Sequence, residues 1–223
     1  MTTLKRLVVV SLGGSLIVPH EIDVVFLAKF KRLVEKFKRT HQFILVCGGG
    51  ATSRAYDFAA RSVSRISDAD RDLIGVTATW LNAQLVAAIF KTNILHVHDR
   101  CSKAPVVVVT DKISGTTSDG VTVAAALHYK SGELVNLTNV EYVYTKDPRT
   151  FSDAKPIKSL SWNDYFRIIP DKRVAHMHVP FDPSASRIAA RHHLTVASIS
   201  GHDLKQFENY LRGRSFKGTV IHP

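Results

Sequence analysis

The chain is short of cysteine, of acidic residues and of long apolar runs, and each shortage narrows what it can be. Cys47 and Cys101 are its only 2 cysteines, which gives no disulfide framework and leads us to expect a reducing cytoplasm. No uninterrupted apolar run approaches a membrane span and the N-terminus has no leader pattern, so no membrane partner is expected. Asp and Glu number 19 against 30 Lys and Arg, a formal charge of +11. A surface of that sign attracts anions, from nucleic acid to small phosphorylated molecules. The densest basic stretch is Lys29, Lys31, Arg32, Lys36, Lys38 and Arg39. It lies on a predicted helix from Ile22 to Arg39, opposite an apolar stripe of Val25, Phe26, Leu33, Val34 and Phe37. That pattern reads as the solvated face of an amphipathic helix rather than an RNA-binding patch. Two common nucleotide motifs are missing as well. There is no G-x-x-x-x-G-K-[ST], and Gly13-Gly14-Ser15 does not complete G-x-G-x-x-G.

What the chain does have is three glycine-centred turns: Gly13-Gly14-Ser15, Gly48-Gly49-Gly50, and Gly115 before Thr116-Thr117-Ser118-Asp119. The first two follow β-branched runs, Leu7 to Leu12 and Phe43 to Cys47, and lead into helical patterns. A buried strand that ends in such a turn can hold a phosphate. Glycine lets backbone approach an anion, and the following helix presents unpaired N–H groups. Three turns suggest a site for more than one phosphate.

Strand and helix signals alternate along the whole chain. Strands are expected at Leu7, Phe43, Asn93 to Val97, Pro105 to Val109, Leu134 to Leu137, Thr195 to Ile199 and Thr219 to Ile221. Helices are expected at Ile22 to Arg39, Ala51 to Arg61, from a cap at Asp68 or Asp70 to about Ile89, at Val121 to Tyr129 capped by Asp119, from Asp182-Pro183 to His193, and at Asp203 to Leu211. This alternation argues for a mainly parallel sheet covered on both faces, in one domain over 1–223, with ligands at the carboxyl ends of the strands.

In combination the motifs resemble the amino acid kinase superfamily, and within it the UMP kinases of archaeal type and their small-genome bacterial relatives. The resemblance runs from about Leu7 to Thr219. It rests on VVSLGGSLIVP (Val9 to Pro19), VCGGGATSRAY (Val46 to Tyr56), DLIGVTATWLNA (Asp72 to Ala83), SGTTSD (Ser114 to Asp119), TNVEYVYTKDP (Thr138 to Pro148), FDPSASR (Phe181 to Arg187) and Lys217-Gly218-Thr219. It implies a three-layer α/β/α sandwich, with an acceptor part over about 1–130 and an ATP part over about 131–223. The implied activity is phosphorylation of UMP by ATP, with Mg2+ carried on ATP, in a hexamer built from dimers.

The resemblance also distributes roles. Gly13, Gly14, Ser15, Thr138, Asn139, Tyr144, Asp147 and Pro148 fall on the ATP side. Gly49, Gly50, Arg54, Asp72, Thr117 and Ser118 fall on the UMP side. Arginine suits the acceptor phosphate because its planar fork binds two oxygens at once. Asp119 stands by the transferred phosphate. Many relatives carry a lysine where this chain has Ser11, so Arg187 is expected to supply the missing cation, as stabilising charge on the moving group is the main task of such a site. Other departures are Trp80, Ser114, Ser118, Glu141-Tyr142 and Ala175-His176. They keep two alternatives in view: a kinase of this fold acting on another small phosphate or carboxylate, and a non-catalytic nucleotide- or oxyanion-binding or storage protein.

Other features read as structural. His96 and His98, like His176 and His178, would share a strand face, yet no third metal ligand is suggested by spacing, so no metal site is expected. Cys47, in an apolar strand, reads as a buried thiol.

Overall fold

The protein is described by a computed structural model covering residues 5–111, 116–169 and 179–223. Gly115, Ser114 and the 175–178 stretch with both its histidines lie outside the described residues. In chain order the elements are β1 (Arg6–Leu12), α1 (Gly14–Ile17), α2 (Val24–Phe37), β2 (His41–Cys47), α3 (Gly50–Val63), α4 (Asp68–Phe90), β3 (Ile94–His96) and β4 (Val106–Thr110). They continue as α5 (Ser118–His128), β5 (Glu133–Thr138), β6 (Val143–Tyr144), β7 (Pro156–Ile157), β8 (Ser159–Ser161), α6 (Trp162–Ile168), α7 (Pro183–Arg191), β9 (Thr195–Ser200), α8 (Leu204–Leu211) and β10 (Thr219–His222).

Eight strands form one sheet in the order β3-β4-β2-β1-β5-β9-β10-β8, and β6 and β7 form a separate hairpin. All neighbours in the large sheet run parallel except β9 and β10. Side chains alternate along β1 because successive Cβ atoms point to opposite faces of a strand. Val8, Val10 and Leu12 join a core with α2, α4 and α8. Val9 joins a second core, with α5, α6 and α7, on the other face. This is the three-layer α/β/α sandwich expected. Ser11 is in phase with Val9, which turns its hydroxyl toward the α5 side.

β1 occupies the centre, and the chain builds outward from it through β2, β4 and β3 on one side and β5 and β9 on the other. A crevice at the carboxyl ends of the strands is the usual ligand site in such a topology.

Several local expectations need correction. The cap of α4 is Ser67, whose hydroxyl accepts from the Asp70 N–H while Asp70 accepts from the Ser67 N–H, a reciprocal capping box; neither Asp68 nor Asp70 is the cap. Thr117 caps α5, so Asp119 lies inside the first turn with its carboxylate free for other work. Val25 is 59% exposed, and the buried stripe of α2 is Phe26, Leu27, Phe30, Leu33, Val34 and Phe37. β3 stops at His96, so His96 and His98 do not share a strand face; the His98 ring meets His128 edge-on.

α4 corrects the reading of apolar length. Its 23 residues have a window of mean hydropathy 1.6, which by length and composition alone is enough to cross a membrane. The helix packs against α3, β2 and β4, and its Asn82 is buried with both amide contacts on the glycine turn described below.

Candidate active site

The first two glycine turns touch each other. A Cβ on Gly14 would stand 2.6 Å from the Gly48 carbonyl carbon and 2.8 Å from the Gly49 nitrogen, with the Gly50 nitrogen closer still. A Cβ on Gly48 would stand 2.5 Å from the Gly14 nitrogen. Main chain on both sides cannot yield, so the two loops fit only as glycine. Gly13 is locked to the neighbouring strand by its N–H to the Leu137 carbonyl at 2.9 Å, and the Gly48 N–H reaches the Leu12 carbonyl at 3.0 Å. Asn82 of α4 braces the second turn from behind, donating to the carbonyls of Gly48 at 2.7 Å and Gly49 at 3.2 Å.

Beside these turns lies a cavity of about 240 Å³. Gly49, Gly50, Arg54, Asp72, Thr117 and Ser118 all line it. Six residues scattered over some seventy positions are thus gathered around one space. The helix starts explain its chemistry. α3 begins at Gly50 and α5 at Ser118, and both N-termini open onto the cavity, where orphan N–H groups and the positive ends of the helix dipoles favour an anion. Arg54 donates to the Pro19 carbonyl at 3.4 Å and lines the cavity.

Sequence reasoning missed Arg71, a second cation in this wall. Its Nε donates to the Asp57 carboxylate at 2.8 Å and its Nη1 to Asp68 at 3.2 Å. Asp57 is buried, so one edge of the guanidinium is fixed. Ser53, Thr79, Thr110 and Asp111 also line the space; of these Ser53 and Thr79 fall within motifs that carry the resemblance, and Thr110 and Asp111 do not.

Ser11 and Asp119 are brought together as well. The Ser11 hydroxyl donates to Asp119 Oδ1 at 3.1 Å, and the backbone N–H of Asp182 donates to Oδ2 at 2.9 Å. Burial pushes the Asp119 carboxyl up to about 6, against the Asp182 and Ser11 hydrogen bonds that hold it down. Ser11 lies two residues before Gly13, so this carboxyl sits under the first glycine turn. α7, which carries Arg187, starts at the same place: Asp182 is its cap, accepting from the Ala185 N–H at 2.9 Å, with Pro183 following as expected.

The residues expected on the ATP side are more dispersed. Thr138 ends β5, and its carbonyl accepts from the Gly201 N–H at 2.8 Å; a Cβ on Gly13 would lie 3.7 Å from the Thr138 Cα. Gly14 and Ser15 open α1. Asn139 follows β5, and Tyr144 is on the β6–β7 hairpin, its ring edge-on to Tyr142. Asp147 and Pro148 form the exposed turn beyond it, where Arg149 grips the Asp147 carboxylate at 2.8 and 3.0 Å. None of these lines the cavity beside α3 and α5.

The amino acid kinase family model matches residues 6–198, and the chain belongs to that family. Within it, a uridylate kinase of Methanococcus aeolicus is 31% identical, over 97% of this chain and 99% of its own. One of Thermoplasma volcanium is 32% identical over 96% of each. The crystal structure of uridylate kinase from Archaeoglobus fulgidus superposes with a TM-score of 0.76 at 26% identity, covering 98% of this chain and 100% of that one.

Proposed function

We propose that this protein transfers the terminal phosphoryl group of ATP to UMP, forming UDP and ADP. One observation carries the reading: the six residues expected around UMP line one cavity, onto which the N-termini of α3 and α5 open, and α5 also carries Asp119, hydrogen-bonded to Ser11 of β1. The uridylate kinases that match nearly the whole chain support the same acceptor.

In this reading Arg54, Arg71 and the amides at the start of α3 hold the UMP phosphate, and Asp72 holds the ribose. Gly13, Gly14, Ser15 and the segment from Thr138 to Pro148 hold ATP. That divides the chain into an acceptor part over about 1–130 and a donor part over about 131–223. Phosphoryl transfer needs two anions brought into line and the moving charge neutralised, with little covalent work by the protein. Mg2+ is carried in with the ATP phosphates, as part of the substrate. Asp119 orients a cation or a magnesium-bound water there, and Arg187 supplies positive charge that Ser11 cannot. We also infer a soluble cytoplasmic enzyme that forms hexamers from dimers and has no nucleic acid partner.

The test is turnover by the purified protein with Mg-ATP and a panel of nucleoside monophosphates and small carboxylates. UDP formation from UMP, with weaker use of CMP, is expected. Turnover confined to another acceptor would replace UMP. ATP binding without any turnover would point to the storage protein instead.

A further inference from the structure

α6 has no part in the proposed chemistry, yet one of its side chains reaches the reacting centre through the backbone. Tyr165 is fully buried. Its hydroxyl donates to the Phe181 carbonyl at 2.8 Å and accepts from the Phe181 N–H at 2.9 Å. Both backbone groups of a fully buried residue are thus satisfied by one side-chain oxygen. Asn136 of β5 adds a second tether, donating to the Pro180 carbonyl at 2.6 Å, and the Ser186 hydroxyl donates to the Asp182 carbonyl at 2.7 Å. The next N–H along the chain, that of Asp182, is the one that donates to Asp119. As the cap of α7, Asp182 uses its carbonyl within the helix, which leaves its N–H for this contact.

We propose that Tyr165 is a positioning residue for Asp119: by clamping Phe181 it fixes the Asp182 N–H that orients the Asp119 carboxylate beneath the first glycine turn. The proposal rests on the reading of Asp119 as part of a phosphoryl-transfer site. Three contributors face that carboxylate among the described residues: Asp182 at the start of α7, Tyr165 on α6 and the Ser11 hydroxyl on β1. Of these, Asp182 and Tyr165 are acidic groups by residue type, and neither is a cation. The donated N–H is therefore the main influence opposing the carboxyl's desolvation.

Tyr165→Phe keeps the ring and its edge-on contact with Trp162 but removes the clamp, leaving two buried backbone groups of Phe181 without their partner. The variant is compared with wild type and with Phe207→Leu, a destabilised control in the opposite core. Two readouts are used. The first is the pH titration of the Asp119 carboxyl carbon by NMR, assigned by its absence in Asp119→Asn, which needs no activity. The second is steady-state kinetics with UMP and Mg-ATP. In Tyr165→Phe the Asp119 midpoint is expected at higher pH than in wild type. The same variant should show a kcat roughly tenfold to a hundredfold lower, the scale of a misplaced reacting group, with KM for UMP unchanged. The control should move neither. A folded Tyr165→Phe with an unmoved midpoint, or with wild-type kcat, overturns the proposal. If Tyr165→Phe does not fold, Asn136→Ala releases the other tether and takes its place: the midpoint must again rise, and an unmoved midpoint overturns the proposal. Failure of the wild type to phosphorylate UMP would sink the functional reading, while the carboxyl titration would still decide the role of Tyr165.

Discussion

Replacing Asp119 by asparagine should make the protein more stable at neutral pH while stopping its chemistry. Burial raises the carboxyl from 3.8 to about 6. Between those values the native state binds more protons than the unfolded chain, so this group's contribution to stability falls as pH rises through that window. Above it the folded protein carries an ionised, desolvated carboxylate at a cost of about 3 kcal/mol, from ~1.4 kcal/mol per pH unit. Below about pH 4 both states are neutral and the cost vanishes. Asparagine removes the charge and keeps the geometry. Its carbonyl oxygen can accept from the Asp182 N–H, and its amide can donate to Ser11, whose hydroxyl rotates to receive it. Urea unfolding from pH 4 to pH 8, followed through Trp80 and Trp162, measures the difference between variant and wild type. It should be near zero at pH 4 and grow to about 2–3 kcal/mol in favour of the variant by pH 7. Turnover should be lost in parallel, with ATP affinity little changed. A difference independent of pH, or a variant less stable at pH 7, would show that the carboxylate is not desolvated as argued.

Gly14→Ala should cost about 3 kcal/mol or more, or prevent folding, because the new methyl meets backbone of the second turn and neither side can move; thermal unfolding measures it. Arg54→Ala should weaken UMP binding by about 1.5–3 kcal/mol, the worth of a charged hydrogen bond, and leave ATP binding intact by calorimetry. Arg187→Ala should lower kcat on the order of a hundredfold, as loss of a donor to transition-state charge does, with an unchanged melting temperature; a fully active variant would remove it from the site. Of the two cysteines only Cys101 should react with a thiol reagent in the native state, since Cys101 is exposed and burial pushes the Cys47 thiol up to about 12.

How much of this was legible in the sequence followed the range of the interactions involved. β1, β2, β4 and β9 announced themselves as β-branched runs closed by turn residues, and Asp182-Pro183 marked the start of α7 by a rule that operates within four residues. α6 gave no such signal. Trp162 to Ile168 is two turns long, and its buried Trp162 and Tyr165 are recognised only by the sheet face that covers them. The capping residues went wrong where two or three polar candidates stood together. Ser67, Asp68 and Asp70 compete for one position, and the backbone angles that choose among them depend on how α3 delivers the chain. Arg71 was invisible as a site residue because an arginine in the first turn of a helix reads as solvated. What holds it in the cavity wall is Asp57, on another helix and fourteen residues away. The residues expected on the acceptor side converged better than those expected on the donor side for a related reason. They sit at strand ends and helix starts whose placement the topology dictates, whereas Tyr144, Asp147 and Pro148 ride on a hairpin outside the main sheet.

The glycines carry a different lesson from the one their pattern first suggests. Gly14 and Gly48 are required by each other, backbone against backbone, whether or not an anion is bound. What argues for an anion is what that contact achieves. It draws the α3 start toward β1, where α5 presents Asp119 to Ser11, so that helix N-termini, Arg54 and Arg71 surround one space. The same contact makes the exchange of lysine for Ser11 consequential. A lysine at that position would face Asp119 directly and hold its carboxyl down by charge. A hydroxyl offers one neutral hydrogen bond, which leaves the Asp119 carboxyl high and leaves the transferring phosphoryl group without a cation from β1. The Asp182 N–H is what remains to orient the carboxylate, and in the proposed reaction the neutralising charge has to come from α7, from the arginines of the cavity wall, or with the magnesium of ATP.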